Sequence, residues 1–243
     1  MAFTRVALMG FALPLSFSLS SAALATAVTF SADDGVGDLP SGPGAFPSVD
    51  LIWGNYFFTD TPVEIATVSV AFEEVALGLP VTAFVLDDPD DDGNPSNASV
   101  VGLGTGVTAS PNDSNPFGAP DVFVDYAITS QPGGGTIGAV DGGFFVGILL
   151  PDQDYTDGIN DFPVLRDNDT ADGAGWLFFG GGNDTDLNNL AALVDPDGVT
   201  LNVGNPNVFG FLAGNPLVRA TTVPEPTVLG LAGLAVLGLR RRR

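Results

Sequence analysis

Short apolar or alternating runs recur along the chain, and none of them has a long helical period. The clearest alternation covers residues 63–72, and residues 51–58 form a similar run just before it. Gly, Pro, Asn and Asp separate the runs, as is typical of strands joined by turns. The other runs that we predict to be strands are 81–86, 99–103, 122–129, 143–150, 176–179, 199–203 and 208–212.

This pattern predicts an all-β protein. Thirty-two glycines and nineteen prolines favour turns over long helices, and only residues 187–194 have helical spacing. We expect residues 26–222, called the body below, to form a single β-sandwich of the jelly-roll or Greek-key type. Residues 220–226 are predicted to be a linker between the body and the end of the chain.

Residues 1–25 have the pattern of a secretory signal peptide. Arg5 supplies the charged start, an apolar run follows, and Ala23 and Ala25 are the small residues of a site for signal peptidase. The alternative is a transmembrane anchor, which would also keep Arg5 on the cytoplasmic side. Both interpretations place the body outside the cytoplasm.

Residues 223–243, called the tail below, have three parts in a fixed order. Val223, Pro224, Glu225 and Pro226 come first, and an apolar run at 227–239 follows them. The chain then ends with Arg240, Arg241, Arg242 and Arg243. The arginines favour the cytoplasmic side, because moving positive charge through hydrocarbon is costly. The apolar run would cover only roughly 20 Å of a core of about 30 Å, which predicts a transient rather than a permanent anchor.

The tail resembles the PEP-CTERM sorting signal of Gram-negative bacteria, which exosortases read and cut near the Pro-Glu-Pro triplet. The resemblance implies export, tethering through a transmembrane helix of the tail, and processing by exosortase. It also implies delivery to the cell surface or the extracellular matrix of a Gram-negative bacterium. The implied partners during export are exosortase and signal peptidase, and such a location would bring the body to extracellular polysaccharide.

The body is strongly acidic, which narrows its partners. It has two basic residues, Arg166 and Arg219, against 28 acidic residues, so its net charge is about −26. Phosphate backbones would be repelled, and we expect no binding to nucleic acid. Such self-repulsion is tolerated where salt or divalent cations screen it, which favours a saline or calcium-containing exterior.

One stretch of the body has carboxylates at alternate positions, two others have the spacing Asp-x-Asp-x-x-Asp, and a glycine follows each of the three. Oxygen ligands at such spacing can converge on one Ca²⁺ where the chain turns. The candidate ligands are Asp88, Asp90, Asp92, Asp152, Asp154, Asp157, Asp167, Asp169 and Asp172. The first stretch is similar to the start of an EF-hand or dockerin loop, but Ser99 stands where such a loop has its bidentate Glu. The alternative is that all three stretches are solvated turns without a metal.

The composition also limits the chemistry. Without His, Cys or Lys there is no Ser-His-Asp triad, Cys-His dyad, Schiff-base lysine or His/Cys zinc site. We expect no enzyme, but a structural or adhesive protein of the cell surface or matrix. The alternatives are a calcium-dependent carbohydrate-binding module and a glycoside hydrolase that acts through two carboxylates. We expect Trp53, Tyr56 and Trp176 in the core rather than on a sugar-binding face.

Overall fold

Strands dominate the part of the chain that the computed structural model describes, which is residues 26–41, 49–73, 75–109, 121–153, 163–168, 175–181, 186–187 and 214–224. The strands are β1 (Thr29–Phe30), β2 (Leu39–Ser41), β3 (Val49–Val70), β4 (Pro80–Asp87), β5 (Ser99–Val107), β6 (Val124–Ala127), β7 (Ala139–Gln153), β8 (Val164–Asp167), β9 (Gly175–Gly181), β10 (Asn215–Pro216) and β11 (Val218–Thr222). One 3-10 turn covers Pro95–Asn97. Every pairing is antiparallel, so the prediction of an all-β fold is confirmed.

Strand β3 is the element around which the largest sheet is built. Its first half pairs with β7 on one edge and with β9 on the other, and its second half pairs with β11 and β6. Strand β7 continues the sheet to β4 and then to β5. The eight-stranded sheet therefore has two parts that are joined through β3.

The prediction of separate strands at 51–58 and 63–72 was wrong. The first run and residues 63–70 of the second both belong to β3, and the turn-forming residues between them lie within the strand rather than at its end. The register with β7 shifts between Thr59 and Val63. The bulge holds two extra residues of β3 opposite β7. Pro62, which cannot donate to the ladder, lies within this bulge and so does not end the strand.

The two parts of the sheet fold over a shared core. The rings of Trp53, near the start of β3, and Phe72, just beyond its end, lie edge to face with centroids 6.1 Å apart. A straight strand would separate these residues by roughly 60 Å, so β3 must bend sharply. The core between the two parts includes Phe144 and Ile148 of β7 and Ala220 of β11.

The opposite face of the β9-β3-β7-β4-β5 part is also buried. Ile52, Phe84, Phe145 and Trp176 form a second cluster there, and Leu187 packs into it. A smaller sheet with the order β10-β8-β2 adds Leu165 to a third cluster, which also contains Leu217 from between β10 and β11. The central strands of this part, β4 and β7, are buried on both faces, and each therefore contains a nearly continuous apolar run.

The first and last described strands are paired with each other. Strand β1 pairs with β11, and β11 pairs with the second half of β3. The prediction of a linker at 220–226 was therefore wrong at its start, because residues 220–222 belong to β11. The run is too short and too polar to show a strand period on its own.

Several predictions concern residues outside the described ranges. They are the signal peptide with Ala23 and Ala25, the strands at 199–203 and 208–212, the helix at 187–194 beyond Leu187, and the apolar run of the tail. In the described part of the chain, no helix is both long enough and apolar enough to cross a bilayer.

Candidate functional site

The first acidic stretch forms a tight turn after β4, called the acidic turn below and defined as residues 88–93. Asp88 N donates to Gly143 O at 3.0 Å, and the Asp91 carboxylate accepts a hydrogen bond from Gly143 N. Asp91 and Gly93 both have positive φ, of 55° and 72°, and aspartate and glycine tolerate this region best. These two contacts hold the acidic turn against the start of β7.

Three carboxylates converge inside the acidic turn. One oxygen each from Asp88, Asp90 and Asp92 lies within 4.8 Å of the other two. Asn97 Nδ2 donates to Asp90 Oδ1 at 2.8 Å, and Asn94 N donates to Asp92 Oδ1 at 2.7 Å. The alternation of the sequence thus places these three side chains together, while Asp91 between them points to β7.

Tyr56 of β3 lies against the acidic turn. A Cβ added to Gly143 would meet Tyr56 Oη at 2.1 Å, so only glycine leaves room for the phenol. The hydroxyl lies close to Asp88, but it makes no hydrogen bond of normal geometry. Burial, and then the charges of Asp88, Asp91 and Asp92, raise the pKa of Tyr56 to about 12, so the phenol stays protonated at neutral pH.

Asp88 and Asp87 sit in an environment that disfavours their ionised form. Burial is the largest cause that raises the pKa of Asp88, the charges of Asp90 and Asp92 raise it further, and the hydrogen bond from Gly93 lowers it. Burial also raises the pKa of Asp87, which lies near Asp91 and Asp141. Within the described residues, Asp88, Asp90 and Asp92 form the one group of carboxylates whose placement suits a metal ion.

Of the other candidate ligands, two lie in strands away from the acidic turn and four lie outside the described ranges. Asp152 lies in β7, and Asp167 is fully buried in β8, where its carboxylate accepts a hydrogen bond from Asp34 N at 2.9 Å. Asp154, Asp157, Asp169 and Asp172 lie outside the described ranges. Sequence reasoning missed Tyr56 and Asp91, because strand pairing brings Tyr56 to the turn and the alternating pattern skips Asp91.

The tryptophans belong to the core. Trp53 is fully buried and Trp176 is 3 % exposed, so neither ring offers a stacking surface for a sugar. Among the aromatic side chains that the structure describes, Phe58 is the one with more than half of its surface exposed.

The tail begins where the last ladder of the body ends. Val223 N donates to Glu64 O at 2.8 Å, whereas Pro224 has no N–H and cannot extend the ladder. Both residues are exposed. Glu225, Pro226, Arg240, Arg241, Arg242 and Arg243 lie outside the described ranges.

Comparison with known proteins identifies this end of the chain. The PEP-CTERM protein-sorting motif matches residues 222–243. The tail is a PEP-CTERM sorting signal. The motif begins at Thr222, the last residue of β11, so the body leads into it without a spacer. It marks an exported protein that exosortase sorts and processes. No curated protein matches the chain.

Proposed function

We propose that the body is a structural or adhesive component of the cell surface or extracellular matrix of a Gram-negative bacterium, and that it acts without catalysis. The observation that carries this proposal is the PEP-CTERM signal directly after β11. The signal delivers whatever precedes it, and what precedes it is one compact β-rich unit, Ala27–Pro224.

The pairing of β11 suits a tethered body. Strand β11 has β1 on one edge and β3 on the other, and ladder hydrogen bonds are perpendicular to the strands. A pull along β11 from its tail end therefore loads many hydrogen bonds together instead of opening them one at a time. This arrangement favours a body that stays folded while it is held at its C-terminal end.

The composition and the buried tryptophans support the same role. A net charge near −26 keeps copies of the body apart unless cations screen them, as in a hydrated matrix. Trp53 and Trp176 are core residues and do not form the aromatic face that a carbohydrate-binding module needs. Extracellular polysaccharide and exosortase are the partners that we propose for the mature and the precursor form, respectively.

Deletion of the gene that encodes this protein in its native host tests the proposed structural or adhesive role. We expect surface attachment and matrix cohesion to fall and to recover when the full chain is restored, with hydrolysis of the matrix polymer unchanged. A glycan array probed with the full chain separates the alternatives. Unchanged cohesion together with saturable binding to one glycan would favour a carbohydrate-binding module, and slower hydrolysis of the polymer would favour an enzyme.

A further inference from the structure

One oxygen in the acidic turn is buried and has no partner. Asp88 is 1 % exposed, its Oδ2 accepts a hydrogen bond from Gly93 N at 2.9 Å, and its Oδ1 meets no hydrogen-bond donor. An unsatisfied buried carboxylate oxygen is costly, and a charged one is costlier than a neutral one. The turn supplies no donor for this oxygen, and the phenol of Tyr56, although it lies close to Asp88, makes no hydrogen bond of normal geometry with it. The oxygen therefore has room for a positively charged neighbour.

The basic residues of the body do not fill this role. Arg219 forms an ion pair with Asp33, and Arg166 belongs to β8 in the smaller sheet. Lysine and histidine are absent from the whole sequence. The three carboxylates of the acidic turn therefore repel one another at close range, and a cation from solution is the partner that would offset both the repulsion and the buried oxygen.

We propose that Asp88, Asp90 and Asp92 bind one divalent cation and that Ca²⁺ is preferred over Mg²⁺. The donors are all oxygens, and their mutual separation of up to 4.8 Å fits within the about 5 Å that two ligands of one Ca²⁺ can span. Asp90 and Asp92 are exposed, which leaves room for water to complete the shell. Mg²⁺ holds its water tightly and demands a stricter octahedron, so a partly open turn suits it less.

Terbium luminescence tests the site directly, because Tb³⁺ replaces Ca²⁺ and Tyr56 lies close enough to transfer excitation to it. The full-length chain in a non-ionic detergent is titrated with Tb³⁺ while tyrosine is excited. We expect saturable emission that Ca²⁺ displaces and equimolar Mg²⁺ does not. D90N/D92N should weaken Tb³⁺ binding by about tenfold or more, because affinity follows the number of charged ligands.

The control is D125N. Asp125 is an exposed aspartate of β6 that accepts a hydrogen bond from Ser69 Oγ, and an asparagine can still accept it. This variant removes one aspartate charge from the other part of the sheet, against two in D90N/D92N, and should bind Tb³⁺ like the unaltered chain. Equal binding by D90N/D92N and the unaltered chain would overturn the proposal, and so would equal displacement by Mg²⁺.

The melting temperature gives a second test, because D88N should raise it in EDTA and abolish its increase with Ca²⁺. D88N keeps an acceptor for Gly93 N but removes the buried charge, so it should melt higher than the unaltered chain in EDTA. It should also lose the rise in melting temperature that Ca²⁺ gives to the unaltered chain. A full Ca²⁺ response in D88N, or an equal response of the unaltered chain to NaCl at matched ionic strength, would overturn the proposal.

Discussion

Thr29 and Thr221 face each other across the antiparallel pair of β1 and β11, and their hydroxyl oxygens lie 3.2 Å apart. Next to them, Val28 N donates to Thr222 Oγ1 at 2.9 Å, and Thr222 N donates to Val28 O at the same distance. The first strand after the predicted signal peptide thus closes on the last strand before the sorting signal.

The packing of Phe30 shows how strongly the N-terminal strand is held. Its ring lies 5.1 Å from that of Phe144 and 5.9 Å from that of Phe57, measured between centroids. We expect F30A to destabilise the fold by about 2 kcal/mol, less than a fully buried phenylalanine would cost, because Phe30 is only partly buried. Urea unfolding measures this loss. The control V28A, at a residue that is 53 % exposed, should change stability little. An equal loss in both variants would contradict the assigned packing.

Asn55 ties β3 to the segment that leads into β11. It is fully buried, and its Nδ2 donates to Pro216 O and to Val218 O, both at 2.8 Å. N55A would leave both carbonyls without this donor, so we expect a loss of about 2–3 kcal/mol in the free energy of unfolding. The matched control is N168A, because Asn168 has an exposed side chain. If N55A lost less unfolding free energy than N168A, other donors would have to reach the two carbonyls.

The ion pair between Arg219 and Asp33 is a third point that substitution can test. The carboxylate of Asp33 is buried, Arg219 Nε donates to Asp33 Oδ1 at 3.0 Å, and the guanidinium lies 4.0 Å from the centroid of Phe123. R219M should cost about 2–3 kcal/mol, because it leaves a buried carboxylate without its cation.

The double variant D33N/R219M should recover part of that stability, since it removes the unpaired charge as well. Thermal or urea unfolding of the two variants in parallel gives the comparison. If the double variant were less stable than R219M, the loss would come from packing on Phe123 and not from the charge of Asp33.

The pH dependence of stability has a defined sign at Asp33. Burial is the largest cause that raises the pKa of this carboxyl above 3.8, and Arg219 opposes the rise. The folded protein therefore takes up this proton at a higher pH than the unfolded chain. The contribution of Asp33 to stability is complete below 3.8 and is lost as the pH rises through the folded-state pKa.

Unfolding in about 0.5 M NaCl with EDTA isolates this effect, because salt screens the exposed carboxylates but hardly the buried one. We expect the unaltered chain to gain stability relative to D33N/R219M as the pH falls from neutral toward about 4. A constant or shrinking difference over this range would contradict the raised pKa.

The sequence predicted the fold class and several of the longer strands, because period-two alternation and turn residues are local signals. It failed at β3, where Thr59–Val63 looks like a turn and is a bulge, since only pairing with β7 keeps the strand continuous. It also missed β1 and β11, which are too short to show a period. The alternating aspartates predicted which carboxylates meet, but the burial of Asp88 depends on β7 and Tyr56, which are distant in sequence.

Delivery of the body by its tail is the central claim, and one measurement tests it directly. Host cells expressing the unaltered chain are separated into membrane, matrix and medium fractions, and the intact mass of the protein is determined in each. We expect the protein in the surface or matrix fraction, without residues 1–25 and without the terminal arginines, whereas P224A/P226A should stay in the membrane fraction at higher mass. Unaltered protein that keeps Arg243 in the membrane fraction, or that is released freely into the medium, would contradict the account.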